Sequence, residues 1–531
     1  MKQTKERKSE FKPLLYTTTV RNPERIKYNL YVLKKYEGQI LTNELATEIV
    51  GELIRYGLYR PMKVPQNVAE IWKQTPKGEF AVSLISKKDV KKIQNNNPQK
   101  HKEAGFAWGY PSRFATIFDL AKELGFVYFI PGEKIEFSEL GNILVDIVKV
   151  KEENDEITVE FNASEREQDI FLQSLARSQR SNPFVKVLND NIPLILLLQT
   201  VRLINIDGGN GISRREIPLL LFWKDNDADS LYDRIQKLRK EYGYNPSDEV
   251  IFDICVNEIM DGKFKKFKVE SLMTDYTDEF IRKMRMSGLI SLRGAGRFID
   301  INHNEDKKVD YILETYADYK HYTDEHDYFK YMSSIDKNLI SLEAEKITTE
   351  QTNDLLSVWL ETYNWDNIKL ELKNLSSRKP SKDDVLKFLA APARLEFLTA
   401  LAIKSKLPNV TVKPNYSCDD TGLPTSTAGG NKGDIECFEE DKGVLVEVTM
   451  AEGRTQTMME IWPIERHLET FIHDYNIDAQ CIFTAPTIYQ DSKRQIEYVR
   501  FSKKLLIRDY SISNFISFLE STDSLYITNE V

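Results

Sequence analysis

The run Gly443-Val444-Leu445-Val446-Glu447-Val448-Thr449 places an ionisable side chain in the middle of a segment that has to be interior. It is short, β-branched and opened by a glycine turn, so it reads as a buried strand. An ionised glutamate in such a strand costs several kcal/mol, on the order of what isolated buried charges cost, unless something compensates it. Two further acids bracket it evenly, with twelve residues between Asp434 and Glu447 and twelve more before Glu460. A strand with Glu447 and Thr449 on one face, next to an acid from the preceding hairpin arm, points to a divalent cation as the compensating charge. Ligation by oxygen alone favours Mg²⁺, which takes one or two carboxylates plus substrate phosphate. Metal, carboxylate and phosphate together are the working parts of a nuclease.

A chain of 531 residues exceeds one ordinary domain, so several are expected. Hydrophobic content of 41% with 29% charged residues describes a globular protein, and no apolar run is long enough to span a bilayer. The longest, Ile192-Pro193-Leu194-Ile195-Leu196-Leu197-Leu198, has the length of a core segment. The basic start Met1-Lys2-Gln3-Thr4-Lys5-Glu6-Arg7-Lys8 lacks a following apolar stretch and does not read as a signal peptide. Cys255, Cys418, Cys437 and Cys481 form no CxxC pair, so free thiols are expected and a zinc site is not. Net charge is −9 but unevenly spread. Residues 1–35 hold ten Lys/Arg against three acids and 261–300 nine against six, while 301–363 hold fourteen acids against six bases. A locally basic face can grip DNA whatever the overall sign.

The pattern predicts a multidomain α+β chain. In the opening segment Asn22-Pro23 offers a helix cap and a first-turn proline. A helix over 113–124, closed by Gly125, is followed by short strands at 126–130 and 135–137 around Pro131-Gly132. The same order recurs at 276–302, with Phe280, Ile281, Met284 and Met286 on a helix and strands at 289–293 and 297–301 around Gly294-Ala295-Gly296. Both resemble winged helix-turn-helix units, giving winged-helix-like subdomains at about 105–150 and 250–302 within a recognition region of 1–300. In such folds the helix can enter the major groove while the wing touches backbone. Arg282, Lys283, Arg285, Arg293 and Arg297 would supply the charge, unless they are solvated bases on a packing module. An acidic, tyrosine-rich helical segment over 301–380 reads as a linker. From 381 to 531 the texture is α/β: a short helix at 384–390, a helix from Pro392 to about 401, a polar loop over 415–433, strands at 434–439 and 444–450, a helix over 455–474 broken near Pro463, and a strand at 481–486. Those connections favour a mixed sheet with parallel neighbours.

Taken singly, Asp434 reads as a turn residue, Glu396 as an acid on a small-residue helix face with Ala393, Thr399 and Ala400, and Glu460 as a helical acid. His467 and His473 lie six apart, unsuited to one helical face, which leaves each a structural or substrate-contacting role. No phosphate-cradling G-x-x-x-x-G-K-[ST] loop is present, so ATP-driven translocation is not expected.

Together these residues form a recognisable pattern. Ala428-Gly429-Gly430-Asn431-Lys432-Gly433-Asp434-Ile435-Glu436, Val446-Glu447-Val448-Thr449, Gly453-Arg454-Thr455-Gln456, and Met459-Glu460 through Glu465-Arg466-His467 resemble the active-site region of the AlwI family. Its members are type IIS restriction endonucleases and include the large subunits of heterodimeric nicking endonucleases. Glu396, within Arg394-Leu395-Glu396-Phe397-Leu398, stands at that family's upstream helical glutamate, and Pro23-Glu24-Arg25-Ile26 through Gly38 is similar to its opening. The resemblance implies a C-terminal PD-(D/E)xK-type nuclease domain joined by a helical linker to winged-helix-like recognition subdomains. It further implies Mg²⁺-dependent cutting of double-stranded DNA at a fixed distance to one side of a short asymmetric site. Asp434 and Glu447, with the Val448 carbonyl as a further oxygen, would hold the metal, and Glu396 and Glu460 would complete the cluster. Thr449 stands where the wider superfamily has lysine, and Gln456 and Glu460 are the candidates to replace it.

One such cluster cuts one strand. A transient homodimer or a small second subunit is therefore expected for the other, or else the chain is a strand-specific nickase. Host protection would come from a separate DNA methyltransferase, and the setting is a prokaryotic cytoplasm with no membrane partner. The contrasting reading is a non-catalytic winged-helix DNA-binding regulator, which would tolerate changes at Glu447.

Overall fold

The computed structural model describes residues 20, 22–100, 102–159, 165–185, 187–262, 268–345, 347–430 and 432–527. The basic stretch 1–19, with Arg21, and Asn431 of the glycine-rich segment lie outside the described residues. The chain is a mixed α and β protein that divides into two compact units. One comprises 1–148, 154–157 and 167–344; the other comprises 149–153, 158–166 and 345–531. The segment expected as a linker at 301–380 is thus divided, its first part built into one unit and its second part into the other.

The first unit is mainly helical. Its helices Asn43–Arg55, Glu139–Asp146 and Ala228–Tyr242 each start at a side chain that accepts a first-turn amide, from Thr42, Ser138 and Asp227 respectively. Asn22 has extended backbone but makes no such bond, and Pro23–Arg25 is a 3₁₀ turn leading into the helix Ile26–Lys34. The apolar run after Pro193 is core, with Leu194, Ile195, Leu196, Leu197 and Leu198 all fully buried in the helix Pro193–Ile206. Helix–hairpin order holds at both predicted places, in smaller form. Tyr110–Glu123 precedes a hairpin in which only Val127–Tyr128 and Glu136–Phe137 pair. Thr277–Arg285 precedes Ile290–Arg293 and Phe298–Ile301, but Ile212–Ser213 joins that hairpin as a third strand. The second hairpin is therefore part of a sheet rather than a free flap. A strand drawn from far upstream leaves no local periodicity to find.

The second unit carries a five-stranded mixed sheet. Its strands are β1 (Thr411–Pro414), β2 (Ile435–Glu439), β3 (Lys442–Val448), β4 (Asp478–Ala485) and β5 (Ile507–Ser511). They lie in the order β5-β4-β3-β2-β1, with β3, β4 and β5 parallel and β2 antiparallel to both β1 and β3. The helices are α1 (Ala391–Lys406), α2 (Gly453–Met459), α3 (Ile461–Tyr475), α4 (Gln490–Lys503) and α5 (Ile512–Ser521). Successive side chains of a strand face opposite ways, so Leu445 and Glu447 share a face of β3. Leu445 packs with Ile464, Leu468 and Phe471 of α3 and with Cys481 and Phe483 of β4. The polar stretch expected as a loop over 415–433 contains a further antiparallel pair, Tyr416–Cys418 with Pro424–Ala428. The short helix expected at 384–390 is only the 3₁₀ turn Leu386–Phe388.

The expected break near Pro463 falls at Glu460, between α2 and α3. Proline lacks an amide proton and its ring collides with the carbonyl four residues back. For Pro463 that residue is Met459, the last of α2. Phe483 is fully buried and pairs in register with Glu447. Replacing Phe483 with alanine is expected to cost about 3–5 kcal/mol, read as a lower urea midpoint; a loss under about 1 kcal/mol would show a loosely packed sheet.

Candidate active site

The β2–β3 register brings the first two acids together. Ile435 pairs with Val446, so the next position outward sets Asp434 opposite Glu447 at the end of the sheet where β3 finishes. Directly opposed residues of antiparallel strands share a face. The Val448 amide donates to Asp434 Oδ2 at 2.7 Å, tying the hairpin arms across this end. Gly433 is required here: a Cβ on it would lie 2.9 Å from Glu447 Oε1 and 2.4 Å from Leu445 Cδ1.

Glu396 reaches the same place from α1. It is buried, and its Oε2 accepts the Ala428 amide at 3.0 Å. The small neighbours on its face, Ala393, Thr399 and Ala400, are buried too, because that face packs inward rather than towards solvent. Glu460 arrives through the helix break. Thr449 Oγ1 donates to Glu460 Oε1 at 2.8 Å and accepts the Ala451 amide at 3.0 Å. Thr449 is itself fixed by its amide, which donates to the Thr484 carbonyl of β4 at 3.0 Å.

The charges of the other three acids all act on Asp434. Burial pushes Asp434 well above the usual carboxylate value, and the charges of Glu447, Glu396 and Glu460 add to this against the Val448 amide. Burial and the charge of Glu447 push Glu396 up to about 8, opposed by the Ala428 amide. Asp434 keeps some exposed surface, yet its carboxyl lies deep enough that lost hydration is the largest cause.

His467 of α3 was not expected at the carboxylates. Its Nδ1 lies 2.9 Å from Glu447 Oε1 and its Nε2 lies 3.3 Å from the Gly430 carbonyl oxygen. A carbonyl can only accept, so Nε2 carries a proton and Nδ1 shares another with Glu447. Burial would push this imidazole down, but the hydrogen bond and charge of Glu447, helped by the Gly430 carbonyl, hold it above its ordinary value. The spacing of twenty residues between Glu447 and His467 carries no periodic signal, since the two sit on different elements. His473 is exposed beside Asp474 and takes no part.

Gln456 belongs to α2. It is fully buried, with Nε2 donating to the Ala451 and Thr487 carbonyls at 3.0 and 2.9 Å and Oε1 accepting the Tyr489 amide at 2.9 Å. Both polar atoms of the side chain are engaged in holding loops together, which leaves neither for the role expected of Gln456. Among the bases proposed for DNA contact, Lys283 is buried in an ion pair with Glu279 at 2.6 Å and is removed from that set. Arg293 is bound to Asp300 at 2.6 Å, and Arg285 donates to the Ile290 carbonyl at 3.1 Å. Arg282 is half-buried and Arg297 is exposed.

The acids at the sheet end offer oxygen ligands, with Asp434 opposite Glu447 and His467 already against the latter. Among the described residues no three His, Cys, Asp or Glu side chains already form a cage for a metal. Mg²⁺ needs only one or two carboxylates, and mutual repulsion among buried acids is what a cation would relieve, so the residues fit a hard divalent ion.

The model of the AlwI restriction endonuclease family matches residues 122–390 and 364–513, more than half of the 531 residues. The chain belongs to that family. As an AlwI-family member it is a type II restriction nuclease. Solved structures similar to it include the small subunit of the heterodimeric restriction endonuclease R.BspD6I, at 20% identity over 29% of this chain and 76% of that one, with a TM-score of 0.25. Restriction endonuclease FokI is similar at 10% identity, and FokI bound to DNA at 11%, each over 97% of both chains with a TM-score of 0.25. Scores that low give these likenesses no bearing on the fold or the chemistry. No curated protein sequence matches the AlwI-family chain, and no helix among its described residues is long and apolar enough to cross a membrane.

The raised value of Glu396 fixes a pH dependence. Between the ordinary 4.5 and about 8 the folded protein holds a proton that the unfolded chain has lost, so stability falls as pH rises through that window. Metal-free Glu396→Gln protein is expected to show a flatter pH–stability curve from 4.5 to about 8 and to exceed the parent most at its upper end. Parallel curves in thermal melts would reject the assignment.

Proposed function

We propose that the chain is a type IIS endonuclease. It binds a short asymmetric duplex site through its N-terminal unit and cuts at a fixed distance to one side with Mg²⁺. The observation that carries this reading is that Asp434 stands opposite Glu447 at one end of a mixed sheet and feels the charges of Glu396 and Glu460 as well. Winged-helix-like recognition and a PD-(D/E)xK-type cleavage domain belong to the same proposal, supported by the helix–hairpin order in the first unit and by acids on adjacent strands in the second.

Asp434 and Glu447, with the Val448 carbonyl, would hold the ion. When bound, Mg²⁺ makes water more acidic and offsets charge developing on the phosphate. The remaining work falls to the chain. His467 keeps the Glu447 carboxylate in one rotamer. Thr449 turns Glu460 towards the sheet end, leaving that carboxylate as the group that takes the proton of the attacking water where the superfamily has a lysine. Glu396, holding its own proton, buffers charge behind Asp434. Arg282 and Arg297 of the first unit remain the bases proposed to face DNA.

One cluster per chain cuts one strand. The second cut then calls for a second copy of the chain or a small subunit, and nicking is the outcome without one. A companion methyltransferase would protect the host.

Asp434→Ala or Glu447→Ala is expected to abolish cleavage of supercoiled plasmid in Mg²⁺, a loss of at least about 10³-fold as for other groups that stabilise developing charge, while gel-shift binding to DNA persists. Retained cutting would overturn the metal assignment. EDTA should stop the parent enzyme. In the parent digest, open circles against linear product, followed over protein concentration, separate nicking from paired cutting. His467→Ala should lower the rate at saturating DNA by about 10-fold or more, the scale on which lost support of a ligand acts; an unchanged rate would remove His467 from this role.

A further inference from the structure

The helix Lys87–Asn96 of the first unit has an apolar side and a cationic side. Val90 and Ile93 are buried in a cluster with Ile54, Val68 and Trp72. Side chains four apart stack lengthwise on a helix, so the other side carries two rows. One is Lys87, Lys91 and Asn95, the other Lys88, Lys92 and Asn96, and all six residues are exposed.

These rows are poorly suited to a protein alone in water. Lysines four apart on a helix repel, and two such pairs lie side by side. Lys87 and Lys88 also occupy the first turn, where the helix dipole disfavours cations. The single acid of the helix, Asp89, is taken up by the cap. It accepts the Ser86 hydroxyl at 2.8 Å, and its amide donates to Ser86 Oγ at 3.1 Å. Lys92 stands 4.0 Å from it, and among the described residues Lys87, Lys88 and Lys91 have no ion pair. The bases near the second hairpin differ, since Lys283 and Arg293 each hold an acid at 2.6 Å.

The cationic side is also held still. Gln94 Nε2 donates to the Thr47 carbonyl at 3.1 Å, and the Tyr110 hydroxyl donates to the Asn97 carbonyl at 3.0 Å. Asn97 Nδ2 donates to the Ile93 carbonyl at 2.8 Å and the Lys63 carbonyl at 2.7 Å. A fixed array of like charges, largely uncompensated within the protein, fits a partner whose own charge is regular and opposite. Duplex DNA, the substrate of a type II restriction nuclease, has one phosphate about every 1.7 Å of its axis.

We propose that this helix face is a DNA-backbone contact, with Lys87, Lys88, Lys91 and Lys92 set against phosphates. This rests on the reading that the first unit binds the site, and it names the surface that supplies grip rather than sequence choice. Phosphates between the rows relieve the repulsion that the free protein carries there.

The test is gel-shift binding of the full chain to a long mixed-sequence duplex in EDTA, over a range of KCl, so that no cleavage is needed. Lys87→Gln with Lys91→Gln, or Lys88→Gln with Lys92→Gln, is expected to lower the slope of log affinity against log salt by about 2. Affinity at moderate salt should fall by about 10-fold. The melting temperature should stay level or rise, because each pair of changes removes a repulsion and glutamine is a good helix former. Lys237→Gln with Lys240→Gln, exposed on the helix Ala228–Tyr242, removes the same charge elsewhere and should leave slope and affinity as they are. An unchanged slope in the folded row variants would overturn the contact. An equal loss in the Lys237 and Lys240 control would refute it too, as an effect of net charge alone. Should one row variant misfold, the other decides. Failure of the parent to cut DNA in Mg²⁺ would bring down the cleavage reading instead and leave the binding result standing.

Discussion

Everything in the second unit depends on keeping like charges close together inside protein. Asp434 and Glu447 are set opposite each other by five residue pairs of one hairpin, Ile435 with Val446 through Glu439 with Lys442. Buried carboxylates set on opposed residues repel, and the fold resists by backbone donors: the Val448 amide on Asp434, the Ala428 amide on Glu396. Each donor favours the ionised form of its acid, and in each case burial wins. The sheet end is thus strained electrostatically without any strained backbone, the condition under which a polyvalent cation binds well.

The remaining pieces act through that pair. α3 packs Ile464, Leu468 and Phe471 on the sheet and so delivers His467 to Glu447. The helix break before it, forced by Pro463, frees Glu460 from a regular helical direction and lets it meet Thr449. Gln456 ties the loop before α2 to the loop after β4 by three backbone bonds. A residue that looked chemical turns out to be mechanical, and a histidine that looked incidental lies against an acid of the site.

How much of this was legible beforehand follows physical lines. Glu447 was legible because a charge in an apolar β-branched run is costly wherever the run lies. The parallel β3–β4 pairing followed from the helical crossover between them, and the break near Pro463 from proline's missing amide. Glu396, Asp434 and Glu460 were individually unremarkable and became a set only through the family resemblance, since their meeting depends on contacts between distant elements. Periodicity could not show that Ile212–Ser213 completes a sheet with residues near 299, that the polar 415–433 segment pairs as strands, or that Lys283 turns inward to Glu279. In each case tertiary partners decided the outcome. The edge strands β1 and β5 were missed for the same reason: each is only four or five residues long and has one neighbour.

The amide of Thr449 hangs on the carbonyl of Thr484, a strand away and late in the chain. Until β4 has been synthesised and zipped beside β3, the Thr449 amide lacks its acceptor, and the hydroxyl that Glu460 grasps is steadied only by the Ala451 amide of its own loop. A polypeptide still emerging from the ribosome short of that strand would hold its acids but not their arrangement.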